Sequence, residues 1–186
     1  MIPINVAGPA VEPASPADLA STLRAEPVEE ALIASLVRAA RLLVEAQARL
    51  VLIEQTWRLV LDRWPRDRIV RLPLWPVIAV DLVRVHDGAG FATLPPAHAA
   101  LDGASDPARL LVGPAAPDPG RPVGGIEITL RAGFGPSPAD VPEPLIQAIR
   151  LLVGRWFEHR GDALHDTALP ADVAALIAPH RRLRLA

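Results

Sequence analysis

The stretch from Gly125 to Arg160 constrains this chain most, because it joins an alternating strand to a helix through one short glycine and proline turn. Ile126, Ile128, Leu130 and Ala132 alternate with Glu127, Thr129 and Arg131, the signature of a strand with one dry and one wet face. Gly133-Phe134-Gly135 follows the strand with only two glycines, which is a turn and not a phosphate loop. Asp140 and Glu143 are then placed as N-cap and N3 of a capping box, with Pro142 in the first turn. Leu145, Ile149, Leu152 and Trp156 step by four, three and four, so they define a packing seam in which Trp156 is expected to be buried. Gly161 is placed to stop the helix.

Neither apolar face of such a unit can be covered by the unit itself, so the rest of the chain must supply cover. Ser15-Pro16-Ala17-Asp18 reads as a helix start, with Leu19 and Leu23 as a short apolar face. A longer helix follows, with Glu29 and Glu30 at the positive end of its dipole. Its stripe is Leu32, Ile33, Leu36, Val37, Ala40, Leu43 and Val44, and Glu45 to Arg49 has the favourable i,i+4 orientation. The period changes to two at Gln55–Asp62, where Trp57, Leu59 and Leu61 share a face. Val77–Val85 gives a second strand, interrupted by Asp81, before the His86-Asp87-Gly88 turn. Residues 92–122 read as a long connection around one short strand, Arg109–Val112. A last short helix spans about Pro170–Ala178, and Pro179 is expected to end it.

These elements predict an α+β fold: a helical bundle with an inserted small antiparallel sheet at about 54–132 and a C-terminal arm. Residues 1–14, Pro- and Ala-rich without a period, are expected to be an arm that orders against a partner. The connector domain then covers 15–178, and 179–186 form the C-terminal arm.

Composition narrows the function. The 186 residues carry 51% hydrophobic residues at a mean hydropathy of +0.26, yet no apolar run approaches the ~18 residues of a membrane span. The surplus predicts apolar surface that a partner or a neighbouring subunit covers. All 19 basic residues are arginine, and lysine and tyrosine are absent, the mark of a GC-rich genome. A net charge of −2 gives no basic field for holding a DNA backbone, and zero cysteines exclude disulfides and thiolate metal sites.

Catalytic motifs are missing. Without lysine there is no phosphate-loop Gly-Lys-Ser/Thr, and neither a G-x-S-x-G elbow nor an H-E-x-x-H helix occurs. The one cluster of metal-ligand types is Glu158, His159, Asp162, His165 and Asp166, the basis of an alternative reading as a small metal-dependent hydrolase. It straddles a helix end and a Gly-Asp turn, where polar residues gather for solvation alone. A third reading is a helical dimerising regulator built on Leu32 to Val44. Trp57 and Trp156 are expected in the core, whereas Trp64 and Trp75, each near a proline, could serve an interface. No cofactor or metal is called for. His180, Arg181, Arg182, Leu183, Arg184 and Leu185 alternate cationic and apolar side chains at the end, a pattern suited to a docking peptide.

The order of these pieces resembles phage head-tail connector (adaptor) proteins, in particular those of siphovirus-type phages and of gene transfer agents. The resemblance runs from about Ser15 to Arg182. It rests on two helices leading into Gln55-Thr56-Trp57 with Leu59 and Leu61, then Ile69-Val70-Arg71-Leu72-Pro73 and Pro76-Val77, and the strand, turn and helix of Ile126 to Arg160. A closing Leu169-Pro170 with Leu176-Ile177-Ala178-Pro179-His180-Arg181 completes it. Phe157 and His180 stand where tyrosine is common in the family, the first fourteen residues are additional, and the 92–122 connection is long.

What the resemblance implies is a structural part with no reaction to catalyse. Such a protein assembles in the bacterial cytoplasm as a dodecameric ring at the particle neck. It binds portal protein on one side and a stopper or tail-completion protein on the other, and double-stranded DNA passes through its lumen without specific binding. The portal-docking residues implied are His180 to Leu185.

Overall fold

A computed structural model describes residues 1, 3–159 and 169–182. The fold class is α+β, as expected, with helices and two antiparallel sheets. The chain divides into two compact units, one of Met1–Pro9 with Glu54–Phe134 and one of Ala10–Ile53 with Gly135–Ala186.

The first unit holds both sheets. Its strands are β1 (Pro3–Ala7), β2 (Gln55–Leu61), β3 (Ile69–Arg71), β4 (Val77–His86), β5 (Phe91–Thr93), β6 (Ala99–Asp102), β7 (Arg109–Val112) and β8 (Ile126–Ala132). The larger sheet has the order β1-β2-β8-β4-β5, so the strand with the cleanest alternation sits in the middle. Leu59 and Val83 flank Ile128, and Trp57 and Val80 flank Leu130, which lines the apolar side chains of three strands along one face. Ile126, Ile128, Leu130 and Ala132 are fully buried there. Burial of that row is what fixes the register, since a slip by one residue would turn Glu127 and Arg131 inward.

Three expectations are corrected here. The sheet is not one but two, because β7 pairs with β3 and β6 in a separate three-stranded sheet of order β3-β7-β6. The 92–122 connection contains the expected strand Arg109–Val112 as β7, but also β6, and it begins within β5. Its alanines and prolines concealed β6, which long-range pairing stabilises and local propensity does not. Residues 1–14 are not wholly an arm, since β1 pairs with β2 and Asn5 donates from Nδ2 to Gln55 Oε1 at 2.9 Å.

The second unit is helical. Helices α1 (Pro16–Thr22), α2 (Glu30–Ala48), α3 (Glu143–Glu158) and α4 (Ala171–Ile177) pack α1 on α2, α2 on α3 and α3 on α4. Ser15 caps α1 by accepting from Asp18 N at 3.2 Å, and Pro16 occupies the first turn. On α2 the buried residues are Ile33, Val37, Ala40, Arg41, Val44 and Ala48, while Leu32 faces solvent. The stripe is thus narrower than the sequence suggested and includes an arginine.

Arg41 holds three pieces of chain together. Its Nε meets Glu12 at 2.8 Å and its Nη1 meets Glu45 at 2.9 Å, while the other oxygen of Glu45 accepts from Leu52 N at 3.0 Å. Glu45 turns to Arg41 in place of the expected Arg49. Arg49 adopts a left-handed backbone (φ 59°) as the C-cap and has left the helical i+4 position.

The capping box also lies one turn earlier than predicted. Ser137 and Asp140 form it around a 3-10 turn, Pro138–Asp140, and Asp140 is N3 and not N-cap. Val141 precedes a proline and is held extended, so α3 starts only at Glu143. Gly135 has to be glycine, since a Cβ there would collide with the Asp140 carboxylate.

Leu145, Ile149 and Leu152 are buried on the seam of α3, but Trp156 is only half-buried, in a last turn where Arg155 and Glu158 are exposed. The buried tryptophan is Trp64, whose indole N–H donates to Pro117 O at 2.9 Å, which removes it from the interface candidates. Trp64→Ala is expected to lower stability by about 3 to 5 kcal/mol and Trp156→Ala by clearly less, as read from urea unfolding. Equal losses would contradict this burial. Arg41→Met, which removes the cation that Glu12 and Glu45 share, is expected to cost about 3 kcal/mol in the same assay. A loss under ~1 kcal/mol would show that the cluster is an exposed ion pair in solution.

Candidate assembly surfaces

The segment proposed to dock begins on the fold itself. A 3-10 turn, Ala178–His180, extends α4, and Pro179 is accommodated inside it because the first positions of a turn need no proline N–H. The chain therefore does not leave the fold at Pro179. Arg182 N donates to Ala48 O at 3.1 Å, satisfying a carbonyl at the end of α2. Arg181 is exposed, His180 and Arg182 are half-buried, and burial pushes the Arg182 guanidinium down from its ordinary value. Leu183, Arg184 and Leu185 lie outside the described residues.

Glu158 ends α3 and His159 caps it, whereas Asp162, His165 and Asp166 lie outside the described residues. Among the described residues no three His, Cys, Asp or Glu side chains are grouped to hold a metal ion, and no helix is long and apolar enough to cross a membrane.

Exposed apolar side chains, as predicted from hydropathy, are present in both units. Ile4 (42% exposed) and Val6 (56%) lie on β1, and Leu32 and Leu42 lie along α2. Sequence patterning could not find them, because an apolar residue next to a core position looks the same whether a subunit or a partner covers it.

Part of the charged surface is self-neutralised. On the wet face of the larger sheet Arg84 pairs with Glu127, and Arg131 reaches Glu54 at 2.8 Å and Asp81 at 3.2 Å. The bond from Glu54 is the foremost reason the Arg131 guanidinium is held above its ordinary value. Arg84 and Arg121 lie over the Phe91 ring, at 5.2 and 4.8 Å from its centre. In the smaller sheet Asp102 accepts from Ser105 Oγ at 2.7 Å and from Arg109 Nε at 3.0 Å. These two bonds, Ser105 first, hold the Asp102 carboxyl at about 2 against an ordinary 3.8.

The chain matches no protein-family profile and no curated protein sequence. Solved structures do match along its whole length. It is 31% identical to a chain in the neck of an empty gene transfer agent particle computed with C6 symmetry, with a TM-score of 0.80. A chain of the virion of a native gene transfer agent particle is 30% identical with a TM-score of 0.80. A chain of the neck of a native particle computed with C12 symmetry is 31% identical with a TM-score of 0.72. Each alignment covers 100% of this chain and 98% of the other. The fold is that of structural neck proteins, not of an enzyme. The chain belongs to the head-tail connector (adaptor) family.

The Asp102 carboxyl stabilises the folded chain wherever it is ionised there and its unfolded counterpart would be too. Because its folded value is depressed, this contribution is complete above about pH 4 and is lost as pH falls through about 2. Carboxyl NMR titration is expected to give a midpoint near 2 for Asp102, and Asp102→Asn should flatten the stability profile across that window. A midpoint near 3.8 would mean that the Ser105 and Arg109 bonds are not made.

Proposed function

We propose that this protein is the adaptor of a phage-like particle: a ring, of twelve copies, seated between portal and tail or stopper and continuing the DNA channel. The observation that carries the reading is the full-length likeness to neck chains whose particles were computed with six- and twelve-fold symmetry. A helical unit joined to a sheet unit gives each copy two kinds of surface. We read the α1 to α4 unit as a bundle and the chain as one connector domain.

The charge pattern suits a conduit. Counterion release makes a duplex adhere to surfaces that present many free cations. Here Arg41, Arg68, Arg71, Arg84, Arg109, Arg131, Arg150 and Arg155 each face a carboxylate, so the fixed cations that could grip a passing phosphate backbone are reduced.

Docking on portal is assigned to the chain end, His180 to Leu185. Since Arg182 N is bonded to Ala48 O, a shortened chain that tests docking without disturbing the fold ends after Arg182, not after Ala178. A chain ending at Arg182 is expected to keep the thermal stability of the full protein and to lose attachment to portal. The check is electron microscopy of cognate portal mixed with the full or shortened chain. The full chain should add a complete ring; a strictly one-to-one asymmetric complex would overturn the adaptor reading. Unimpaired ring attachment by the shortened chain would overturn only the assignment of the chain end.

A further inference from the structure

A rotational ring requires each copy to offer two different surfaces that fit one another, since one self-complementary patch closes a pair and stops. The larger sheet has two unlike outer strands, β1 on one side and β5 on the other, and no strand lies beyond either among the described residues. Edges of this kind are ordinarily guarded by charged side chains that prevent strand addition. Neither strand carries a charged side chain of its own, although Pro3 and a register break mark β1, and Arg84 and Arg121 lie over Phe91 of β5. Residues 1–11 contain no Asp, Glu, Lys or Arg, and neither do residues 88–101, which include β5.

The two edges also differ in relief. β1 is exposed along Ile4–Ala7, and a break in its register with β2 between Asn5 and Ala7 leaves Val6 unpaired and 56% exposed. Beside β5 lies a cavity of about 150 Å³ lined mainly by apolar atoms, among them those of Val85, Ala92, Leu94 and Pro95, with His98, Asp87 and Asp118 also on its wall. A dry cavity of roughly that size accepts a benzene-sized group, comparable to one aliphatic side chain. His98 Nδ1 is buried without a hydrogen-bond partner. Buried ring nitrogens are rarely left so, and the main-chain N–H of an added strand would complete it.

We propose that β1 of one copy adds along the β5 edge of the next, with Ile4 or Val6 seated in the cavity beside β5. The occupant is a second copy of this chain, because the two edge strands themselves bear no charged side chain, one carries the protruding aliphatic residues and the other carries the recess. The proposal rests on the ring reading and names the contact that closes it. Main-chain hydrogen bonds between the strands supply attraction without charge, and the side chain in the recess fixes the register.

The absence of cysteine allows a direct test. Within one copy, β1 and β5 are separated by four strand spacings, about 19 Å, far beyond the ~7 Å Cα separation that a disulfide can bridge. Ile4→Cys or Val6→Cys, each combined with Ala92→Cys, can therefore link only different copies. These sites are on the surface, so folding should be preserved, and circular dichroism checks it. Particles carrying the full-length double variants are isolated and run on denaturing gels without reductant. At least one pairing is expected to give a ladder of covalent multimers of this chain extending past the tetramer, and the single variants no ladder. Rings visible in the necks of those particles without any ladder would overturn strand addition and leave the adaptor reading standing. Ladders ending at a dimer, or dimers from Ile4→Cys or Val6→Cys alone, would replace it by a symmetric β1 contact. Absence of the wild-type chain from the necks would overturn both.

Discussion

The larger sheet depends on β8. With β2 on one side and β4 on the other, Ile126, Ile128, Leu130 and Ala132 bury completely, and every residue of the strand is registered against a neighbour. A central strand with strict alternation leaves its flanking strands little choice of face, because an offset of one residue exchanges the apolar row for Glu127 and Arg131. The same stretch of chain runs on through Gly133 and Gly135 into α3, whose seam anchors the helical unit. One continuous segment thus specifies the centre of each unit.

That is why so much of the fold was legible in this segment. Strand alternation and helical spacing are local patterns, and burial follows from them directly for Ile128 or Leu145. What escaped was set by distant partners. β6 carries alanine, leucine and aspartate in no persuasive order, and it exists because it finds β7 across a turn. Arg41 sits on the buried side of α2 because Glu12, far earlier in the chain, meets it there. Trp156 completes the seam in spacing and yet is half-buried, since spacing says which face a side chain takes and not how far a neighbouring element extends.

The assembly surfaces were legible only as a surplus. High hydropathy in a chain without a membrane-spanning helix implied uncovered apolar area, but not its place. Leu32 and Ile33 illustrate the limit. They are adjacent and chemically alike, and one is exposed while the other is fully buried. The chain-end residues were conspicuous by their alternation, whereas the fold-back of Arg182 onto Ala48 has no counterpart in the pattern because it depends on where α2 happens to finish.

Charge and neutrality occupy different parts of the first unit. The wet face of the larger sheet is ionic and satisfied internally: Arg84 with Glu127, and Arg131 with Glu54 and Asp81. Its two edges are neutral. An ionic face that has found its partners repels no neighbouring copy and attracts no particular one, so it cannot specify assembly. An edge that has lost its guarding charges can, because unpaired main-chain groups accept only another strand. In a ring joined through these edges, uncharged residues at β1 and β5 risk indiscriminate aggregation, and a recess sized for one aliphatic side chain would limit that risk by selecting register. Specificity then resides in the fit between a protruding residue and a cavity, which is the kind of information a linear pattern of polar and apolar residues does not carry.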